Sequence, residues 1–104
     1  MIAENHDLVP SVAPRRRPHV TAVELDGRAV LYRSEDGSMH WLDELGTLLW
    51  NCFDGDVPLN ELVDDLAHVY PGEERETIER DLLALVERLL DDGLVELGDG
   101  RRPA

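Results

Sequence analysis

The spacing of apolar residues changes once along this 104-residue chain, at residues 43–55, and this change limits the possible folds most. Before it, apolar and polar residues alternate with the period of two that indicates β-strands. After it, apolar residues recur at intervals of three and four, as in amphipathic helices. Residues 43–55 themselves are predicted to form a first helix, capped by Asp43 and closed by Gly55. Its predicted apolar face consists of Leu45, Leu48, Leu49, Cys52 and Phe53.

Turn residues divide the first half into three strands. Asp26-Gly27 separates the alternating segments 19–25 and 28–33, a strong indication of a β-hairpin. Glu35-Asp36-Gly37 forms a second turn, and Ser38–Leu42 is the third strand, leading directly into the first helix. Three strands joined by tight turns predict an antiparallel meander.

Two more helices are predicted, at about residues 59–69 and 73–92, followed by Gly93 as a C-terminal cap and an extended segment at 94–97. The last helix carries two apolar groups, rotated by about 100° from one another. It should therefore be wedged between the other helices and the sheet, with the outer edge of the second group lining a groove against the sheet. The first group is Ile78, Leu82, Leu85 and Leu89, and the second is Leu83, Val86 and Leu90.

These elements predict an α+β, winged helix-turn-helix-like domain in which a three-stranded antiparallel sheet precedes three α-helices. The length suits one domain, with 42% apolar residues. Residues 19–97 are the predicted domain. Residues 1–18, with three prolines and Arg15-Arg16-Arg17, are expected to form a flexible arm, and 98–104 a frayed tail. The arginine run is either a solvated tail or a docking segment for an acidic surface, which includes the acidic body of this protein.

The charge and the reactive residues exclude several functions. Ten Arg and no Lys against 23 acidic residues give a formal net charge of −13, which repels nucleic acid over the surface as a whole. The histidines are not at metal-ligand spacing, and the single Cys52 is expected to be buried and inert. No phosphate loop, nucleophile elbow or membrane-spanning run is present. We expect a cytoplasmic protein that is not an enzyme and uses no cofactor or metal.

An unpaired sheet edge offers main-chain hydrogen bonds to an extended peptide. If Ser38–Leu42 is such an edge, the last helix could supply pockets for alternate peptide side chains. The alternatives are a winged-helix DNA-binding regulator and a structural subunit bound through Trp41 or Trp50. The DNA-binding alternative is weakened by the acidic residues that outnumber the arginines on the last helix.

The order and spacing of several short motifs resemble those of PqqD-like proteins over about residues 19 to 97. A departure is Asp43, where that family often has Asn, although both residues cap helices. The motifs are residues 41–50 closed by Asp54-Gly55, Glu61-Leu62 with Leu66 and Tyr70, Asp81-Leu82 with Leu85 and Leu89, and Gly93-Leu94-Val95.

This resemblance implies a RiPP precursor peptide recognition element, a noncatalytic domain that binds the leader of a ribosomally made precursor and presents it to a modifying enzyme, often a radical SAM protein. From the charge and the lack of a membrane-spanning run we expect no nucleic-acid or membrane partner, and the oligomeric state stays open. In that family the leader pairs with the third strand and lies against the third helix. The corresponding residues here are Ser38, Met39, His40 and Trp41 on the strand, and Arg75, Glu79, Leu83 and Val86 on the helix.

Overall fold

The computed structural model describes residues 11–98 and confirms the α+β fold class. A three-stranded antiparallel sheet with the order β2-β3-β4 precedes three helices, and β1 pairs with β5 in a second, two-stranded sheet. The elements in chain order are β1 Ala13–Arg16, β2 Val20–Leu25, β3 Arg28–Arg33, β4 Ser38–Leu42, α1 Glu44–Trp50, α2 Leu59–Val69, α3 Arg75–Asp91 and β5 Val95–Gly98.

The predicted hairpin between β2 and β3 is confirmed. Leu25 pairs with Arg28, and the two residues between them, Asp26 and Gly27, both have positive φ angles of 54° and 79°. Two consecutive positive φ angles define the type I′ turn, whose twist matches that of the flanking strands. β4 pairs with β3 on the other side, from Ala29 opposite Leu42 to Arg33 opposite Ser38, so β4 forms one edge of this sheet.

The first helix is shorter than predicted. Asp43 caps it as expected, since its Oδ1 accepts a hydrogen bond of 2.7 Å from the Gly46 N–H. The helix ends at Trp50, however, and Gly55 lies in the following loop. Gly55 does have a positive φ of 86°, but its N–H donates to the carbonyl of Pro14 and so fastens the loop to β1. The prediction of a helix through residue 53 was wrong because the chain turns here toward the β1–β5 sheet.

The predicted apolar face of α1 was also partly wrong. Leu45 and Leu48 are 40% and 50% exposed, whereas Trp50 is only 2% exposed. Leu49 and Phe53 are buried as predicted, and Cys52 is half-buried. Burying the large surfaces of Trp50 and Phe53 rotates α1 so that Leu45 and Leu48 face outward, because a bigger apolar area leaves water that way.

The arm predicted for residues 1–18 was wrong over its described part. Ala13 to Arg16 pair in register with Gly98 to Val95, and Pro14 accepts a bond from Gly55 without needing an N–H of its own. Arg15 forms a salt bridge with Glu96 at 2.6 Å, and Arg16 donates to the carbonyl of Trp50. The arginine run thus docks on the body of this protein. The rest of the predicted arm, residues 1–10, and of the predicted tail, 99–104, lies outside the described residues.

The core lies between the inner face of the three-stranded sheet and the helices. α2 has the predicted bounds, and α3 begins two residues later and ends one residue earlier than predicted. Gly93, with φ of 73°, follows α3 as predicted, and the N–H of Leu94 returns to the carbonyl of Leu89, which forms a Schellman motif. This cap turns the chain sharply into β5. The central buried side chains are Leu31, Leu42, Leu49, Phe53, Leu59, Val63, Leu82, Val86, Leu89 and Leu94.

Candidate functional site

The outer edge of β4 directs main-chain N–H and C=O groups away from the sheet. Within residues 11–98, no strand pairs with that edge. Hydrogen bonding alternates along antiparallel strands, and the two-residue turn makes Leu25 and Arg28 a hydrogen-bonded pair. Counting from that pair, the even-numbered residues of β4 direct their N–H and C=O groups toward β3. The main-chain groups of Met39 and Trp41 consequently point away from the sheet.

A groove of about 710 Å³ lies next to this edge, between the end of β4, the start of α1, the end of α2 and one side of α3. Its floor is apolar and its rim carries charged residues. A groove of this size, apolar with a few polar groups, is typical of a ligand site. It is lined by Trp41, Leu42, Asp43, Leu45, Gly46, Leu49, Leu66, Tyr70, Glu73, Ile78, Asp81, Leu82, Leu85 and Arg88.

The four predicted residues of the strand all lie on β4, but their side chains face in two different directions. Trp41 lines the groove and is 66% exposed, and Met39 is exposed beside it on the outer face of the sheet. His40 and Ser38 face the other way, toward α3. The His40 Nε2 atom lies 3.0 Å from the Ser38 Oγ, and its Nδ1 lies 3.6 Å from the carboxylate of Asp92. Met39 and Trp41 are therefore the strand residues best placed to meet a ligand.

The four predicted residues of the helix lie on other sides of α3 and do not line this groove. Arg75 forms an ion pair with Asp64 of α2, so it faces that helix. Val86 is 0% exposed and belongs to the core, so the prediction that it lines an accessible groove was wrong. Leu83 is half-buried and packs against the same core, and Glu79 is half-buried one turn before it.

The α3 residues that do line the groove were not among the candidate site residues predicted from the sequence. Ile78, Leu82 and Leu85 belong to the first apolar group, which was expected to be core only. Asp81 and Arg88 complete the same side of the helix, at intervals of three and four residues from them. Their helical spacing was visible in the sequence. The sequence did not indicate the direction in which this side of α3 faces.

One of these residues reaches the strand edge itself. The Nη2 of Arg88 donates a hydrogen bond of 3.2 Å to the main-chain carbonyl of Trp41. That carbonyl is one of the outward-pointing groups of β4, so this bond independently supports the assignment of the free edge. The long arginine side chain spans the distance from α3 to the strand above the groove.

A hydrogen bond to a carboxylate and two salt bridges stabilise the turn at residues 35–37, which precedes β4. The Ser38 side chain and the Ser38 N–H, which donates to the Asp36 carboxylate at 3.0 Å, lower the pKa of Asp36, and the charge of Arg33 acts in the same direction. Arg33 also forms salt bridges with Glu35 and Asp36. The turn therefore keeps its hydrogen bonds at neutral pH and fixes where β4 begins.

Other kinds of site find little support in the described part of the chain. No group of three or more His, Cys, Asp or Glu residues there could hold a metal ion. Burial raises the pKa of the Cys52 thiol, with the charges of Asp65 and Asp54 adding to it, so the thiolate is disfavoured at neutral pH. No helix in residues 11–98 is both long and apolar enough to cross a membrane.

Comparison with known proteins agrees with the geometry. Residues 28–95 match the family model of PqqD, the coenzyme PQQ synthesis protein D. The solved structure of TbiB1 in complex with the TbiA(beta) leader peptide has a TM-score of 0.72 and 27% sequence identity, covering 79% of this chain and 94% of that one. A search of curated proteins gave no significant match. The chain belongs to the PqqD family, as its sequence motifs predicted.

Proposed function

We propose that this protein is a noncatalytic adaptor that binds the leader of a ribosomally synthesised precursor peptide and presents it to a modifying enzyme. The observation that carries the proposal is the free edge of β4 beside an apolar groove. A peptide in extended conformation can use both features, since the edge provides hydrogen bonds and the groove provides pockets for side chains. The similarity to TbiB1, which was solved with a leader peptide, supports the same reading.

In the proposed complex the leader adds a fourth strand to the sheet. Its main chain pairs with the outward-pointing groups of Met39 and Trp41, of which the Trp41 carbonyl already accepts a hydrogen bond from Arg88. Because strands alternate their side chains, every second leader residue faces α3 and enters the groove over Leu82 and Leu85. The affinity then comes from the main chain and the specificity from these alternate side chains.

The site we propose therefore keeps the strand part of the sequence prediction and changes the helix part. Trp41 and Met39 remain, together with the neighbouring strand residues Ser38 and His40 as supports of the edge. On α3 the contacts are those that line the groove, namely Ile78, Asp81, Leu82, Leu85 and Arg88.

Presentation to a modifying enzyme follows from the same arrangement, because a leader bound along its length by one strand leaves the rest of the precursor free to reach another protein. A radical SAM protein is the partner we expect. We infer no catalytic role for the adaptor itself. A cytoplasmic location stays a prediction from the sequence.

The two alternative functions receive less support. A recognition helix in DNA would be α3, whose acids Glu76, Glu79, Asp81 and Glu87 would face the phosphates. A structural subunit bound through Trp50 is contradicted by the burial of that side chain, whereas Trp41 is exposed but already belongs to the groove.

The proposal is tested by adding leaders of the precursors encoded beside its gene to isotope-labelled protein and following the amide resonances. The TbiA(beta) leader is a second probe. We expect the amides of Met39 and Trp41 to shift and to exchange with solvent more slowly. If the β4 amides stay unmoved with every leader, the protein does not bind leaders by strand addition.

A pair of proline variants separates the two edges of the sheet. Met39→Pro removes an outward-pointing N–H from β4, and Ala22→Pro removes one from the opposite edge, on β2. Both spare the bonds to β3, so both variants should fold. We expect Met39→Pro to weaken leader binding by about tenfold and Ala22→Pro to leave it unchanged, since one main-chain hydrogen bond contributes about 1 kcal/mol or somewhat more. An equal loss of leader affinity in the two variants would contradict binding at β4.

A further inference from the structure

We infer that Arg88 selects leaders that carry a carboxylate side chain next to the residue that pairs with Trp41. This inference rests on the proposed function and adds a requirement on the peptide. It starts from the hydrogen bond between the Arg88 guanidinium and the Trp41 carbonyl at the free edge. That carbonyl is the acceptor an incoming strand must use, so Arg88 occupies a place the leader needs.

When the leader pairs with Trp41, its own N–H becomes a donor to the same carbonyl. The guanidinium must then share this oxygen or release it. Arg88 has five N–H donors, and this bond uses one of them. We expect an incoming strand to remove water from several of the others. A buried cationic donor without an acceptor is costly, so binding favours a peptide that supplies one.

A carboxylate is the acceptor that fits best. It bonds a guanidinium through two parallel hydrogen bonds and matches its charge. Among the described residues that line the groove, Arg88 is the only basic one, and the acids Asp43, Glu73 and Asp81 line the rest. An acidic leader residue is therefore favoured beside Arg88 and repelled elsewhere in the groove. The preference is for one acid at one position, with neutral or basic residues around it.

Two acids on α3 and at its C-cap, within two turns of Arg88, have other basic neighbours. Asp81 lies on the same side of α3 two turns before Arg88, where it is 4.0 Å from the Nε of Arg80. Asp92, one turn after Arg88, lies against His40. The Arg88 guanidinium is instead directed to the strand edge, at the point where a leader side chain would arrive.

The experiment is a selection from a displayed library of random 15-residue peptides on the full chain, with wild-type protein, Arg88→Gln and Arg88→Glu. We expect wild-type protein to enrich an acidic residue at one position of the aligned peptides, Arg88→Gln to lose this preference, and Arg88→Glu to replace it with a basic one. Arg80→Gln is the matched control, because Arg80 lies on the same helix, exposed and outside the groove, and should select the same peptides as wild type.

A double-mutant cycle then measures the coupling. A selected peptide with Glu at this position is compared with its Gln analogue on wild-type protein and on Arg88→Gln. Replacing Glu by Gln should weaken binding about 10- to 100-fold on wild type, the range for a hydrogen bond between charged groups, and hardly at all on Arg88→Gln. The Nε–H resonance of Arg88 should move with the Glu peptide and less with the Gln peptide. A purely structural role of Arg88 would produce no such coupling.

The outcomes distinguish this inference from the proposed function. If selected peptides shift the β4 amides but carry no acidic preference, or carry the same preference on Arg88→Gln, the role of Arg88 is overturned and the adaptor function stands. If neither library peptides nor leaders perturb β4, the adaptor function fails and this inference fails with it.

Discussion

Two sides of α3 are built from similar residues but meet different surroundings. One side, with Ile78, Leu82 and Leu85, forms part of the groove beside the free edge of β4, although Ile78 and Leu82 are also buried in the core. The other, with Leu83, Val86 and Leu90, packs into the core and toward the rest of the molecule. The groove side also carries the charged residues Asp81 and Arg88.

The difference shows how a small domain can bind a peptide without a separate binding loop. A helix that is apolar on one side only must bury that side to hold the fold. A helix that is apolar on two sides can use one to hold the fold and leave part of the other open to a ligand. Adjacent positions on α3 should therefore respond to the same substitution in opposite ways, and the following predictions test this from the largest effect to the smallest.

The largest effect is expected from Val86→Asp. Val86 is fully buried, so the variant places a charge in the core without a partner. We expect a loss of about 4 kcal/mol or more in the free energy of unfolding, enough to unfold much of a domain of this size. Urea denaturation followed by circular dichroism measures it. A folded variant with wild-type stability and weakened peptide binding would instead place Val86 in the site.

Leu85→Asp, one residue away, should act on binding. Leu85 is half-buried and lines the groove, so water can still reach a carboxylate there. We expect the affinity for the selected peptide to fall by about tenfold, corresponding to the apolar area that Leu85 buries on binding, with about 1 kcal/mol lost in stability. Calorimetric titration of the folded variant measures this. Unchanged affinity would mean that the peptide does not enter the groove.

Leu83→Asp completes the series and should leave binding intact. Leu83 is half-buried against the core but lies on the side of α3 away from the groove. We expect about 1 kcal/mol of destabilisation and an affinity within about twofold of wild type. Calorimetric titration measures the affinity, and urea denaturation measures the free energy of unfolding. A tenfold loss of affinity here would revive the sequence prediction that this side of the helix contacts the leader.

The smallest effect is expected from Arg75→Ala. Arg75 forms an exposed ion pair with Asp64 at the start of α3 and does not line the groove. Exposed pairs contribute about 0 to 1 kcal/mol, so stability should change by less than that, and affinity should not change. Asp64→Ala is the matched variant, because it breaks the same pair from the other helix. A drop in affinity for Arg75→Ala alone would point to a contact between Arg75 and the peptide.

Much of the fold could be predicted because its signals are local. The alternation of Arg28–Arg33, the Asp26-Gly27 turn, the bounds of Leu59–Val69 and the glycine cap at Gly93 each depend on a few neighbouring residues. The edge position of Ser38–Leu42 was a condition for peptide binding in the sequence analysis, and the strand order β2-β3-β4 meets it. These features were confirmed because tertiary contacts reinforce what the local chain prefers.

The pairing of β1 with β5 could not be predicted in the same way. Arg15 and Glu96 meet across 81 residues of sequence, and β1 has no periodicity that would distinguish it from an arm. The short first helix was missed for a related reason. Cys52 and Phe53 have helical spacing, but the loop to Gly55 is held by β1, which the sequence did not indicate.

The sequence by itself determined that α3 has two apolar sides, which marks it as a helix that contacts more than one surface. Only the tertiary structure decided which of the two sides lines the groove and which one packs away from it. Rotation of a helix about its axis is set by the total area buried against α2, the sheet and β5, to which residues far apart in the chain contribute. The periodicity of one helix gives the angle between its two apolar sides, whereas the direction in which each side faces depends on the packing of the whole domain.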